Sequence, residues 1–460
     1  MNEISQAFTR DAEKKAFDKD HRRKLSNNIA KYNQAVKKGL LQFSNLDLAR
    51  TRAASIKYRV INDLDKYLIE FEAKFTARGG KVIWADDADE AITEILAVMK
   101  KYDVRTVVKS KSMVSEEIGL NEALKANKIE SLETDLGEYI VQLAGDKPYH
   151  ILTPAMHMSK EDVAALFNKK FELPVGSTPE EITAFVRKLL REKFIKADCG
   201  ITGANFLIAD TGSVALTENE GNGLMSIAFP RLHIVIAGIE KIIPSIEDLD
   251  LFWPLLATHG TGQQVTAYNS IISGSRFDGE PDGPGDMYVV LIDNGRTKLL
   301  AKEQQRNALS CIRCGACLNG CPIYRSIGGH AYGTPYSGPI GAVITPHMRG
   351  LEEWNHLSFA STLCGKCTEV CPVKIPLHNL LLQNRKDAVE EGYSTTSWKR
   401  GMMVSKRMFM SRYMMDIAGP VTKNFLIRQF AGKLWGERRE LPKVAPKSFK
   451  QLYNEEFRED

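Results

Sequence analysis

The sequence predicts an α/β protein with a mixed sheet, preceded by a helical arm and followed by a helical, cysteine-rich domain. Three observations carry this. Between Ile56 and Phe75, large apolar residues recur at spacings of three and four. From Lys81 to about Arg296, short apolar runs alternate with helical segments. Seven of the eight cysteines then fall between Cys311 and Cys371.

At 460 residues the chain exceeds one ordinary domain. Four regions are expected: a helical region over 1–80, an α/β domain over 81–300, a cysteine-bearing domain over 301–391 and a basic, Met-rich tail over 392–460. In the first, Tyr58, Ile61, Leu64, Leu68, Phe71 and Phe75 form the stripe of one helix packed on something else, a structural arm. Strands are expected at KVIWA (81–85), TVVKS (106–110), HILTP (150–154), HIVIAG (233–238) and MYVVLID (287–293). Between the first two, an amphipathic helix starting after Asp86 and Asp87 carries Ile92, Ile95, Leu96 and Met99. Such strand–helix–strand alternation makes an α/β sheet with helices on its faces. NFLIADTGSVALTE reads as a hairpin turning near Thr211 and Gly212, which makes the sheet mixed. Gly and Pro crowd in FDGEPDGPGDM (277–287), marking a long loop, and a helix over roughly 297–309 leads into the cysteines.

Composition excludes several classes. With 43% hydrophobic and 26% charged residues the chain is an ordinary globular protein, and a net charge of +5 at this length gives no case for nucleic-acid binding. No apolar run approaches the roughly 18 residues of a spanning helix. The opening MNEISQAFTRDAEKKAFDKDHRRK lacks the apolar stretch of an export signal. A cytoplasmic protein is expected, in which disulfides are disfavoured and clustered cysteines point to metal or redox chemistry.

The first motif, CIRCGACLNGCP, places Cys311, Cys314, Cys317 and Cys321 before Pro322 in the spacing of bacterial ferredoxins. Three close thiolates wrap one cube, while the fourth, before proline, is directed to a second. The second motif, CGKCTEVCP, supplies Cys364, Cys367 and Cys371. The expected assignment is therefore interleaved: Cys311, Cys314, Cys317 and Cys371 on cluster one, and Cys321, Cys364 and Cys367 on cluster two. Cluster two is one thiolate short, because a complete motif would have cysteine where Ser361 stands. Ser361 or another oxygen or nitrogen ligand completes a [4Fe–4S] cube, or the site holds a [3Fe–4S] cluster, or one iron is open to a substrate or partner ligand. Alternatively Ser361 is a helix cap or polar filler. Structural zinc uses four ligands in two pairs, which seven cysteines in two Cys-Pro motifs fit poorly. The long stretch from Pro322 to Leu363 suggests a helical cluster domain like those of respiratory iron–sulfur subunits, and two close clusters make a relay.

With both motifs in view, nearly the whole chain resembles the lactate utilization protein B family. The stretches that carry this are CIRCGACLNGCPIYRSIGGHAYG, YSGPIGAVITP and LCGKCTEVCPVKIPLHNLLL, with ITGANFLIADTGSVALTENEGNG and HIVIAGIEKIIPS upstream. The upstream stretches look like the lactate-utilization (LUD) domain, whose fold is similar to sugar-phosphate isomerases and CoA transferases. The resemblance implies a subunit of a three-protein bacterial system oxidising L-lactate to pyruvate. It also implies two [4Fe–4S] clusters, and a family pattern that does not require cysteine at position 361.

Outside the cysteines, the segment from Cys199 to Asn222 combines glycines with Glu218, Glu220 and Asn222 at a strand end, where ligands bind in α/β folds. It reads as a substrate or partner loop, against a plain hairpin and polar turn. Cys199 is expected to be a buried small side chain. His150, His157, His233 and His259 are scattered and structural, and Lys109 and Lys111 are expected on a solvated surface. No dinucleotide fingerprint, Walker motif or HExxH appears, so NAD and ATP are not expected and flavin is unassigned. In the tail, Met402, Met403, Met408, Met410, Met414 and Met415 lie among basic residues that include Lys433, Arg438 and Arg439. This suits docking to another subunit of a lactate-oxidation complex or peripheral contact with an anionic membrane, against a solvated helix packing back on the cluster domain.

The expected function is an iron–sulfur electron-transfer subunit in L-lactate oxidation. The alternatives are that the chain is itself the substrate-oxidising subunit, with substrate at Glu218–Asn222 near cluster two, or a redox-sensing or structural iron–sulfur protein.

Overall fold

The computed structural model describes residues 2–393, 396–416, 418–431 and 440–457. The arm consists of helices Glu3–Phe17, Lys19–Gly39, Leu46–Asn62 and Leu64–Ala77. The expected single stripe is broken at Asp63, which ends one helix and begins the next. Ile61, Leu64, Leu68, Phe71 and Phe75 are buried, whereas Tyr58 is 60% exposed. Before the break the inner face is instead Ala53, Lys57, Val60 and Ile61, so Tyr58 points the other way.

Among the described residues ten strands follow: β1 (Lys81–Ala85), β2 (Thr106–Lys109), β3 (Glu130–Glu133), β4 (Cys199–Gly203), β5 (Phe206–Ile208), β6 (Ser213–Glu218), β7 (Leu232–Gly238), β8 (Ile242–Ile243), β9 (Tyr268–Ile272) and β10 (Asp286–Ile292). Six make a sheet in the order β1-β10-β7-β4-β2-β3, with every neighbouring pair parallel. A parallel sheet is covered on both faces, and all seven residues of β7 are buried. One face packs on helix Ala88–Lys101, through Ala91, Ile95 and Met99. The other packs on Leu64, Leu68, Phe71 and Phe75 of the arm. The hairpin β5–β6 is antiparallel and, with β8 and β9, makes a second, mixed sheet in the order β8-β5-β6-β9.

Three expectations fail. Residues 150–154 are not a strand. The His150 ring nitrogen Nδ1 accepts from the amides of Leu152 and Thr153, and Tyr149 N–H donates to Pro154 O, so the segment folds on itself and forms no ladder. The helix expected over 297–309 is two pieces, an α-helix at Arg296–Leu300 and a 3₁₀-helix at Gln305–Ser310. Lys109 is not solvated: it is 1% exposed, with Nζ 2.8 Å from Glu133 Oε1.

After β10, the short helices Ala316–Gly320, Pro322–Ile327, Gly338–Arg349 and Lys366–Glu369 surround the cysteines. Leu25, Ile29 and Ile61 of the arm share one core with Leu318, Tyr324, Val343 and Leu377, so arm and cysteine region fold as neighbours. Residues up to Ala388 form one compact unit and residues from Val389 a second. The second holds helices Thr396–Met410, Arg412–Asp416, Pro420–Leu426 and Phe449–Phe457. Its Met402, Met403, Met408, Met410, Met414 and Met415 are exposed; Lys433, Arg438 and Arg439 lie outside the described residues. Among the described residues no helix is long and apolar enough to cross a membrane.

Candidate metal centre

Cys311, Cys314 and Cys317 of the first motif and Cys371 of the second line one small cavity, with Ile151, Ile312, Ile340, Val373 and Ile375 in its walls. Cys321, which ends the first motif, lies instead beside Cys364 and Cys367. Each motif thus sends its last cysteine to the other. Sulfur donors in an aliphatic shell suit a cuboidal cluster. A tetrahedral zinc site needs four thiolates converging on one ion at about 2.3 Å. Among the described residues no three His, Cys, Asp or Glu side chains converge on a single-ion position.

The two motifs also repeat each other in backbone. Arg313 and Gly315 have φ of 61° and 74°; Leu363 and Gly365 have φ of 54° and 78°. A left-handed residue before the second ligand and a left-handed glycine after it curl the chain so that its amides face inward. The Arg313 N–H donates to Cys311 Sγ at 3.4 Å, and the Leu363 N–H donates to Ser361 Oγ at 3.1 Å. Ser361 is therefore not a helix cap: it holds the place in the second loop that Cys311 holds in the first. Arg385 Nη2 fixes its carbonyl at 3.0 Å.

The two sets differ in environment. Cys314, Cys317, Cys367, Cys371 and Cys321 are buried, Cys311 is half-buried and Cys364 is exposed. Burial pushes the Cys371 thiol up to about 12 and the Cys367 thiol up to about 11. The Lys366 N–H lowers that of Cys364. Metal must displace protons from the buried thiols, which couples loading to pH.

A network of buried charge lies behind Cys311, and no spacing in the sequence announces it. Arg296, fully buried, donates through Nη1 and Nη2 to Glu117 at 2.9 and 2.8 Å and through Nε to Glu240 at 2.5 Å. Arg313 Nη2 donates to the other Glu240 oxygen at 3.1 Å and lies 4.5 Å over the Tyr336 ring. Tyr336 donates its hydroxyl to Glu117 at 2.6 Å. Burial alone would raise the Glu240 carboxyl, but Arg296 and Arg313 hold it down to about 2. Burial lowers the Lys57 ammonium to about 7 and that of Lys241 to about 8; Lys57 Nζ donates to Glu240 O and Ile242 O at 2.7 and 3.1 Å. Lys57, Lys241 and Arg313 all lie within electrostatic reach of Cys311. Arg50 of the arm, also unforeseen, donates to Cys371 O through Nε and Nη2 at 3.0 and 2.7 Å, holding the crossing cysteine in place.

The loop at the end of β6 separates into two roles. Glu218 accepts from Gly223 N–H at 2.7 Å and Leu224 N–H at 2.9 Å, capping helix Asn222–Ala228. Asn222 is buried 3.2 Å from the Thr134 hydroxyl. Glu220 instead lines a separate pocket with Asp135, Leu152 and Thr153. That pocket adjoins the Cys311 cavity, since Ile151 lines the one and Leu152 the other. Cys199 is fully buried. His233 shares a 2.9 Å hydrogen bond with Thr202, and His259 Nδ1 lies 2.9 Å from Leu255 O.

Two family models match: the LUD domain over residues 68–292 and the 4Fe-4S dicluster domain over residues 307–375. Lactate utilization protein B of Bacillus velezensis is 46% identical over 78% of this chain and 76% of its own. That of Bacillus subtilis is 41% identical over 90% of this chain and 88% of its own. The chain belongs to the lactate utilization protein B family. It therefore joins a LUD domain to a C-terminal 4Fe–4S dicluster domain. A solved DUF162 family protein from Deinococcus radiodurans aligns with 50% of this chain at 14% identity and a TM-score of 0.28, too slight a likeness to bear on the site.

Proposed function

We propose that this chain is the iron–sulfur electron-transfer subunit of a bacterial system that oxidises L-lactate to pyruvate. The observation that carries the relay is the exchange of last cysteines, Cys371 lining the cavity of Cys311, Cys314 and Cys317 while Cys321 lies by Cys364 and Cys367. In this reading Cys311, Cys314, Cys317 and Cys371 hold one [4Fe–4S] cluster. Cys321, Cys364 and Cys367 would hold a second, with Ser361 Oγ as the candidate fourth donor. The name of the relatives and the long motif resemblance support lactate as the fuel.

Bound clusters would supply one-electron transfer; the residues determine where and how. The thiolates would fix two sites, and the cysteine that each motif contributes to the other set would keep them adjacent. The half-buried to buried first set faces the interior and the exposed Cys364 faces solvent. One end of the relay is thus enclosed and the other is open to a partner protein. Arg313 and Lys241 place positive charge behind the enclosed set, which would favour its reduced, more negative state. The protein is proposed to work in the cytoplasm with the other subunits of the lactate system. The basic tail helix Thr396–Met410, with exposed Trp398, Met402 and Phe409, is proposed as its partner- or membrane-facing segment.

Anaerobically purified full-length chain, mixed with L-lactate alone and then with its partner proteins, tests the assignment. Cluster reduction only when partners are present is expected. Reduction by lactate with this chain alone would make it the substrate-oxidising subunit instead.

A further inference from the structure

The pocket that holds Glu220 is formed by five separate parts of the chain, Glu220 and Thr261 among them. Tyr32 comes from arm helix Lys19–Gly39, Ile140 from helix Leu136–Ala144, and Leu152 and Thr153 from the folded segment after Tyr149. Its volume is about 610 Å³, ample for a ring system of drug size and far more than a three-carbon acid needs. Leu136, Ile140, Leu152 and Met156 give it apolar walls, while Asp135, Glu220 and Thr153 give it a polar edge.

Its position matters as much as its lining. Consecutive residues Ile151 and Leu152 face the cysteine cavity and the pocket respectively, so one thickness of main chain separates the two. The Thr153 hydroxyl lies 3.2 Å from His150 Nδ1. The other edge of that ring abuts Gly315, where an added Cβ would come within 3.1 Å of His150 Cε1. Glu220 stands at the rim with its carboxylate turned onto the Leu136 N–H at 2.9 Å. Its side chain is exposed at the pocket mouth; partial desolvation against the pocket wall and the Asp135 carboxylate beside it push its carboxyl up to about 7.

We propose that this pocket binds a planar organic carrier of two electrons and two protons, of the flavin or quinone class, beside the cluster held by Cys311, Cys314, Cys317 and Cys371. The proposal rests on the relay reading above and deepens it by assigning where electrons enter or leave the enclosed end. In the oxidising direction, the dihydro form of the carrier loses two N–H or O–H protons. One goes to the Glu220 carboxylate and one to solvent at the pocket mouth. Its two electrons pass singly to the adjacent cluster, the first moving on to the second cluster before the next arrives. The carrier ends in its oxidised form and each cluster is reduced by one electron. In the opposite direction Glu220 returns the proton.

The test uses the anaerobic, cluster-loaded full-length chain, with FMN and menadione as probes. Binding is followed by FMN fluorescence quenching and by menadione competition, and reduction by the EPR of the clusters after addition of each reduced probe. Saturable binding of one probe at about one per chain is expected, weakened at least about 10-fold in Ala155→Trp, which fills the pocket. Glu220→Gln should bind within about twofold of the parent yet slow cluster reduction by about 100-fold, with iron content unchanged. The two probes separate a flavin site from a quinone site. Binding of neither probe, or reduction linear in probe concentration and equal in Ala155→Trp, overturns the proposal. Chain that binds a probe saturably but holds no iron would refute the relay reading while upholding the pocket.

Discussion

Ser361 Oγ stands to Leu363 as Cys311 Sγ stands to Arg313, each accepting the amide two residues on, at 3.1 and 3.4 Å. The second cysteine loop therefore repeats the left-handed positions and the amide bond of the first and changes one donor atom. A hydroxyl is a weaker and harder iron ligand than a thiolate, so the fourth iron of that cluster should be its labile one. Ser361→Cys should give an all-thiolate second cluster with an altered EPR signal and slower iron loss. Ser361→Ala should drop iron from about eight to about seven per chain, with a three-iron signal on oxidation. Unchanged spectra in both variants would mean that Ser361 does not face the cluster.

Exposure makes a second prediction about the same pair of sites. Cys364 is exposed while Cys314, Cys317 and Cys371 are buried, so dioxygen reaches the second cluster first. Brief exposure of loaded chain to air should bleach or convert the signal of the Cys321–Cys364–Cys367 site while the other persists. Time-resolved EPR of air-treated samples reads this directly; simultaneous loss of both signals is the contrary result.

Arg313 supplies buried positive charge beside Cys311, stacked on Tyr336 and paired with Glu240. Removing it in Arg313→Met should lower the midpoint potential of the first cluster by an amount on the order of tens of millivolts and leave the second nearly unmoved. Arg313→Lys, which keeps the charge, should restore most of the loss. A redox titration followed by EPR distinguishes a charge effect from a general loosening, which would shift both clusters.

Glu240 joins two arginines in a site closed to water. Glu240→Gln should cost about 3–5 kcal/mol, because it leaves buried positive charge without its partner. The sign of the pH dependence follows from the carboxyl being held down to about 2, below its ordinary 4.5. Its contribution is fully present above about 4.5 and is lost as pH falls towards 2. The parent should therefore lose stability across that window more steeply than Glu240→Gln, measurable by urea unfolding at a series of pH values.

Much of this was legible in the sequence because it is local. Runs such as KVIWA of β1 and the seven residues of β10 lie in strands, and the cysteine spacing is what carries the proposed exchange of Cys321 and Cys371. Of the strands not expected from the sequence, β3 (Glu-Ser-Leu-Glu) and the glycine-rich β4 lack an apolar run, and β8 is only two residues long. HILTP has the composition of a strand, but His150 offers its own ring to the amides that a ladder would use. Lys109 looked like a surface lysine because its partner Glu133 lies on the neighbouring strand. The network of Lys57, Glu117, Glu240, Arg296 and Arg313 spans more than two hundred residues. No periodicity records such pairings, because only the fold brings them together.

Iron and sulfide analysis with EPR on the anaerobically purified protein decides whether two interleaved clusters lie in one chain. About eight irons and eight sulfides per chain, with two interacting signals on reduction, are predicted. A chain carrying a single zinc, with no EPR signal after reduction, would contradict it.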